Sequence, residues 1–323
     1  MNKKDIKNIL PPAFDEYQIN TVEQDASNRK YYRIKKGKNN YLLVDSSDEP
    51  QQYKNFIKVH NILSQYRVSI PKIYYIDDYL KTVVIEDFGK LRYDKIINKE
   101  NTKKILKFAI DSLIIFKNQI SFKKNYFLPI YNYNTFKKEI SEFVDDYYYY
   151  HSKKNIKLSR RSLFFNTWKQ QYNKFSFNFD SFVHKDFNLN NLFYLPKRTS
   201  NLKCGIIDFQ DSFWGEDCWD LFSILEDSRV FFDDKFNEEL IEYYCTKTFQ
   251  IKKKKDFTEK YDFFNCARQT RLMGRWIKLH KKNKSYLKYL KITKKRLLKS
   301  LNKPHMTTLL KMYIKLLPDE FEN

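Results

Sequence analysis

Two polar clusters carry the residue types from which a group-transfer site can be built. The first is His184-Lys185-Asp186-Phe187-Asn188-Leu189-Asn190-Asn191, and the second is Ile206-Ile207-Asp208-Phe209-Gln210-Asp211. Each continues an apolar, β-like run, Ser181-Phe182-Val183 and Cys204-Gly205-Ile206-Ile207, so each presents polar groups at the end of a strand. Phosphoryl transfer needs a carboxylate to orient the attacking hydroxyl and hard oxygen ligands for a magnesium ion, all on a rigid support. Asp186 suits the first task. Asn191, further along the same loop, offers a neutral amide oxygen, and Asp208 offers an anionic one. With five histidines in the chain, the spacing His-x-Asp-x-x-x-x-Asn arises by chance in roughly 3% of such sequences. Its weight comes from the second strand-then-Asp cluster that follows it. The other use for His184, Asp186 and Asp208 is as turn residues capping strands.

Elements able to hold these loops are legible on both sides of them. Up to Gly89 the chain alternates short β-rich runs, Tyr31 to Ile34, Tyr41 to Asp45, Lys72 to Ile76 and Val83 to Glu86, with polar turns. Between the second and third runs, Phe56, Val59, Leu63 and Tyr66 recur at helical spacing, predicting a helix over 51–66 that ends before Pro71. Beyond Gly89 the texture becomes helical, as in Thr102 to Lys117, where Ile105, Phe108, Ala109, Leu113 and Phe116 share one face. The expectation is an α+β chain of two lobes, 1–88 and 89–323. With only 5 Gly and 8 Pro there is no composition for a flexible linker between them.

Composition excludes several classes. The chain is 42% hydrophobic and 18% aromatic, which supports a core and excludes wholesale disorder. No stretch approaches the roughly 18 apolar residues of a spanning helix, and the first residues lack the apolar core of a signal peptide. The chain therefore reads as cytoplasmic. Cys204, Cys218, Cys245 and Cys266 lack zinc spacing and read as reduced thiols. Its 61 Lys and Arg against 39 Asp and Glu leave a net charge of +22, but the basic residues are spread along the chain, so no specific nucleic-acid partner is expected. The basic segment 281–301, with Tyr286, Leu290, Leu297 and Leu301 on one face, and the aromatic run Asp145 to His151 both read as packing elements. Neither composition nor spacing sets an oligomeric state.

The two clusters resemble the catalytic and metal loops of aminoglycoside-phosphotransferase and choline-kinase-type enzymes. The resemblance narrows at Asp25 to Arg33, Leu43-Val44-Asp45, Ile85-Glu86-Asp87-Phe88-Gly89, Ile207 to Asp211, Gly215 and Asp220-Leu221. These are similar to the N-acetylmuramate/N-acetylglucosamine anomeric kinases, which phosphorylate the C1 hydroxyl of the sugar in cell-wall recycling. The resemblance implies a two-lobed, protein-kinase-like fold with a small β-rich N-lobe and a larger, mainly helical C-lobe, and it implies ATP and Mg²⁺ as cofactors. Asp186 would be the catalytic base, Asn191 and Asp208 the magnesium ligands, and Asp220 a carboxylate bracing the catalytic loop. His184 would brace the loop or simply sit in the core. Glu86-Asp87-Phe88 would form the adenine hinge, while Ser27 and Arg29 would hold the triphosphate.

Two departures stand out against the wider superfamily. The segment 25–33 contains no glycine, and neither the strand 41–45 nor the helix after it offers the usual lysine and acid pair for the phosphates. For the acceptor, Asp211, Trp214 and Arg271 suit a sugar and its polar substituents, with core packing the other use for Trp214 and a solvated helix face for Arg271. An aminoglycoside or choline acceptor, or a non-catalytic polyanion-binding protein, are the alternatives.

Overall fold

The computed structural model describes residues 18–21, 29–37, 39–120, 122, 127–248 and 253–322. Among these, β1 (Gln18–Thr21), β2 (Lys30–Lys36), β3 (Asn39–Asp45), β4 (Ile73–Asp77) and β5 (Thr82–Glu86) form one antiparallel sheet in the order β1-β2-β3-β5-β4. The period-two pattern decides which face each side chain takes. Leu43 and Val84 join Ile19, Tyr32 and Ile34 in one cluster, while Val44, Val83 and Ile85 join Tyr53 in another. Tyr53 belongs to α1 (Pro50–Leu63), which starts on a proline in its first turn and buries Tyr53, Val59, Ile62 and Leu63. α1 packs on that second face of the sheet. β1 was not anticipated from sequence, because its single buried residue, Ile19, sits among polar neighbours.

Compactness divides the chain into two units, residues 1–115 with 186–212 and residues 116–185 with 213–323. In the first, β7 (Leu192–Tyr194) pairs antiparallel with β8 (Cys204–Ile206). The Ile206 amide donates to the Ser69 carbonyl at 2.7 Å, and the Tyr194 amide to the Leu91 carbonyl at 2.7 Å. Those backbone bonds group 186–212 with the strand-rich segment, although the change of texture at Gly89 lies far earlier in the chain. β8 requires a glycine. A Cβ on Gly205 would stand 2.7 Å from the Phe88 ring and 2.9 Å from Leu195.

The second unit contains the two-stranded pair of β6 (Ser181–Val183) and β9 (Phe213–Gly215) and is otherwise helical. Its longest helix, Lys254–His280, is buried along much of its length. Ion pairs join it to the neighbouring helical segments, Arg271 to Glu139 at 2.8 Å and Arg275 to Glu142 at 2.5 Å, and Lys281, just past its end, pairs with Asp146 at 3.2 Å. The crossing is so close that a Cβ on Gly274 would lie 1.9 Å from the Glu142 carbonyl oxygen. Alanine inside a helix ordinarily gains about 1 kcal/mol over glycine, but here a backbone clash opposes it. Gly274→Ala is therefore expected to destabilise the fold by about 3 kcal/mol, measured by urea or thermal unfolding.

The two segments with suspicious composition are structural. In 145–151, Tyr147 and Tyr148 are buried, Tyr147 donates to Glu320 at 2.9 Å, and His151 pairs with Glu320 at 3.2 Å. In the basic segment, Leu297 and Leu301 are buried, and Tyr286 and Tyr289 stack around Trp276 of the long helix. All four cysteines are buried thiols. No helix among the described residues is long and apolar enough to cross a membrane.

Candidate active site

The loop after β6 is fixed first from one side. The buried Asp220 carboxylate accepts from the His184 amide at 2.6 Å and from the Lys185 amide at 3.0 Å. Lys185 sits at φ +82°, a left-handed conformation that a lysine holds only when its surroundings impose it. Asp220 thus holds the two amides that lead into the loop. The His184 side chain is fully buried.

The following turn is laced by its own asparagines. The Asp186 carbonyl accepts from the Asn188 amide at 2.9 Å, from Asn188 Nδ2 at 3.0 Å and from Asn191 Nδ2 at 2.9 Å. Asn188 Oδ1 in turn accepts from the Asn190 amide at 3.0 Å. These bonds hold the backbone and leave the half-buried Asp186 carboxylate without a hydrogen-bond partner among the described residues. A carboxylate so placed, on a loop immobilised around it, is set for an incoming donor.

The second loop meets the first inside the same compact unit. The Ile207 amide donates to the Asn191 carbonyl at 3.1 Å, and Asp208 follows at φ +66°. Asp208 Oδ1 accepts from Arg29 Nη2 at 2.7 Å and Gln210 Nε2 at 2.8 Å, while Oδ2 lies 3.4 Å from Asn191 Nδ2. Phe209 is fully buried and stacks on Phe56 of α1 at 5.0 Å, with a 16° interplanar angle. Asp211 accepts from Gln52 of α1 at 3.2 Å. The two clusters therefore bring Asp186, Asn191 and Asp208 together.

The donor chemistry suits a magnesium ion. Asp208 supplies a carboxylate, and Asn191, with its amide nitrogen committed to Asp186, supplies an amide oxygen. Buried Gln210 Oε1 has no partner among the described residues, so an orphaned acceptor lies beside them. No group of three or more His, Cys, Asp or Glu side chains able to hold a metal occurs among the described residues.

Arg29 is 9% exposed. Burial disfavours its charge, and Tyr31, Asp208 and Glu49 together more than restore it. Ser27 lies outside the described residues. In the hinge, Glu86 pairs with Arg198, whose guanidinium lies 5.3 Å from the Phe88 ring centre. The Asp87 carboxylate accepts from Arg33 Nε at 2.5 Å and from the Gly89 amide at 2.9 Å. Residues 86–88 are thus pinned by Arg33 and Arg198.

Two acceptor expectations need correction. Trp214 is fully buried, its amide donates to the Pro129 carbonyl and its carbonyl accepts from the Tyr131 amide, both at 2.8 Å, and its ring meets Phe122 edge-on at 5.3 Å. It is a core residue with no face for a sugar. Arg271 is committed to Glu139, which also accepts from Tyr131 at 2.7 Å, so it cross-links helices. An aromatic or an arginine near a motif carries no sign of which way it will face; burial decided the first and pairing with Glu139 the second.

Residues 178–255, which include both loops, match the family described as Phosphotransferase enzyme family. An N-acetylmuramate/N-acetylglucosamine kinase of Pseudomonas aeruginosa is 25% identical over 227 residues, covering 68% of this chain and 62% of that protein. One of Neisseria meningitidis is 23% identical over 249 residues, covering 75% and 72%. The chain thus matches less than two thirds of the Pseudomonas relative's length. Among solved structures, a choline kinase from Streptococcus pneumoniae superposes with TM-score 0.65 at 14% identity, covering 93% of this chain and 98% of the other. An ADP-bound aminoglycoside phosphotransferase superposes with TM-score 0.61 at 14% identity, covering 92% and 97%. The chain thus shares the fold of these kinases.

Proposed function

We propose that this chain is an ATP- and Mg²⁺-dependent small-molecule kinase that phosphorylates a hydroxyl of an amino sugar, C1 of N-acetylmuramate or N-acetylglucosamine, in the cytoplasm. The observation that carries the reading is the unpartnered Asp186 carboxylate on an immobilised loop beside Asn191 and Asp208. The choice of sugar is supported by the names of the relatives in Pseudomonas and Neisseria.

In this reading the Asp186 carboxylate accepts a hydrogen bond from the acceptor hydroxyl and directs its oxygen at the γ-phosphorus. As the new O–P bond forms and the bond to the ADP oxygen breaks, the hydroxyl proton passes to Asp186. Asp208 and Asn191 would hold the metal, which when bound neutralises charge on the phosphate oxygens. Asp220 keeps the backbone ahead of Asp186 in place, and Arg29 and Ser27 serve the triphosphate. The hinge Glu86 to Phe88 offers its backbone to adenine. Asp211, held by Gln52, stays a candidate for the acceptor side.

The test is ADP release from ATP and Mg²⁺ with N-acetylmuramate, N-acetylglucosamine, glucose, choline and kanamycin, using Asp186→Ala as control. Turnover on the amino sugars that is lost in the variant is the expected result. Turnover on choline or kanamycin alone would replace the acceptor. Equal ADP release by the variant would remove Asp186 from the chemistry.

A further inference from the structure

The pair that usually holds nucleotide phosphates, a strand lysine and a helix glutamate, has no residues in its usual place here. β3 contains no lysine and α1 contains no carboxylate. A cation and a carboxylate stand nearby all the same. Arg29 immediately precedes β2, Glu49 immediately precedes α1, and the two are 3.8 Å apart. The Arg29 guanidinium is also 5.9 Å from the Tyr31 ring centre.

The two oxygens of Asp208 are placed differently. Oδ1 accepts from Arg29 at 2.7 Å and Gln210 at 2.8 Å, and Oδ2 accepts the longer bond from Asn191 Nδ2 at 3.4 Å. A carboxylate held this firmly keeps its orientation, which matters because magnesium accepts little deviation from octahedral geometry. Arg29 therefore orients a metal ligand and brings a buried positive charge to the place where triphosphate charge would gather.

We infer that Arg29, anchored by Glu49, is the positioning cation of this site: it clamps Asp208 through Oδ1 and so fixes the orientation of that carboxylate, and it replaces the lysine absent from β3. This rests on the function proposed above. An arginine suits the task better than a lysine, because its planar fork can engage more than one acceptor at once while an ammonium acts as a point charge.

The test is binding of Mg·ATP, followed by calorimetry across a magnesium series, in the unmodified protein and in Arg29→Lys, Arg29→Ala and Glu49→Gln. Arg29→Ala is expected to raise both the Kd for ATP and the magnesium concentration at half-saturation about tenfold. Arg29→Lys keeps the charge but loses the fork, so it is expected to shift the magnesium requirement more than the ATP affinity. Glu49→Gln is expected to weaken ATP binding about threefold. A role confined to packing would lower the melting temperature and leave the magnesium series unmoved. If Arg29→Ala does not fold, Arg29→Lys and Glu49→Gln carry the test. An unchanged magnesium requirement in the folded Arg29 variants overturns the clamp and leaves the proposed function standing. Failure of the unmodified protein to bind Mg·ATP overturns both.

Discussion

Asp186→Asn is expected to lower kcat by about a thousandfold while leaving the melting temperature and the affinity for Mg·ATP nearly unchanged. The substitution keeps the size of the side chain and replaces a proton acceptor by an amide. The structure explains why the loss would be confined to the chemical step. The loop is held through the backbone of residue 186, whose carbonyl accepts from Asn188 and Asn191, and through Asp220, which accepts from the amides of 184 and 185. None of those bonds uses the 186 carboxylate. Steady-state kinetics on the accepted sugar, beside calorimetric binding of Mg·ATP, separates the two quantities. Activity within tenfold of the unmodified protein would show that another group takes the proton.

Asp208→Asn should abolish turnover as completely, by at least about a thousandfold, but through a different quantity. Here the anionic metal ligand is lost, so the magnesium requirement should rise steeply together with the fall in kcat. Asparagine is the informative replacement because it tolerates φ +66°, where alanine would add backbone strain to the chemical defect. The variant also removes the 2.7 Å carboxylate partner of the buried Arg29, which is paired with Glu49 at 3.8 Å as well. A stability loss of about 1 kcal/mol is expected from that, less than for a wholly buried pair because the Asp208 side chain is 33% exposed. Unfolding in urea measures it. A variant with full activity and an unaltered magnesium requirement would take Asp208 out of the metal site.

The catalytic elements were more legible in the sequence than the acceptor elements, and the reason is physical. Asp186, Asn191 and Asp208 lie on short loops that start at the ends of apolar strands, so local pattern and residue type together limit where they can point. Asp220 was legible only by resemblance, since nothing local shows that its oxygens reach the amides of 184 and 185. Trp214 and Arg271 have no such local constraint. A tryptophan in a strand and an arginine on a long helix can each face inward or outward, and packing against Phe122 and pairing with Glu139 settled the matter. Glu49 and Arg198 passed unnoticed because their partners, Arg29 and Glu86, lie 20 and 112 residues away along the chain.

By itself the sequence determined the α+β character, most of the strands of the sheet, the helix after β3, the two chemical loops and the class of reaction they suit. Each of these follows from periodicity or from residue types a few positions apart, and such information is local. Tertiary structure alone decided that residues 186–212 group with the strand-rich segment, that Asp208 is gripped on one oxygen by Arg29, and that the aromatic and basic runs serve the core. Those outcomes depend on which distant side chains compete for the same buried space and the same charge, and only the folded chain brings the competitors together.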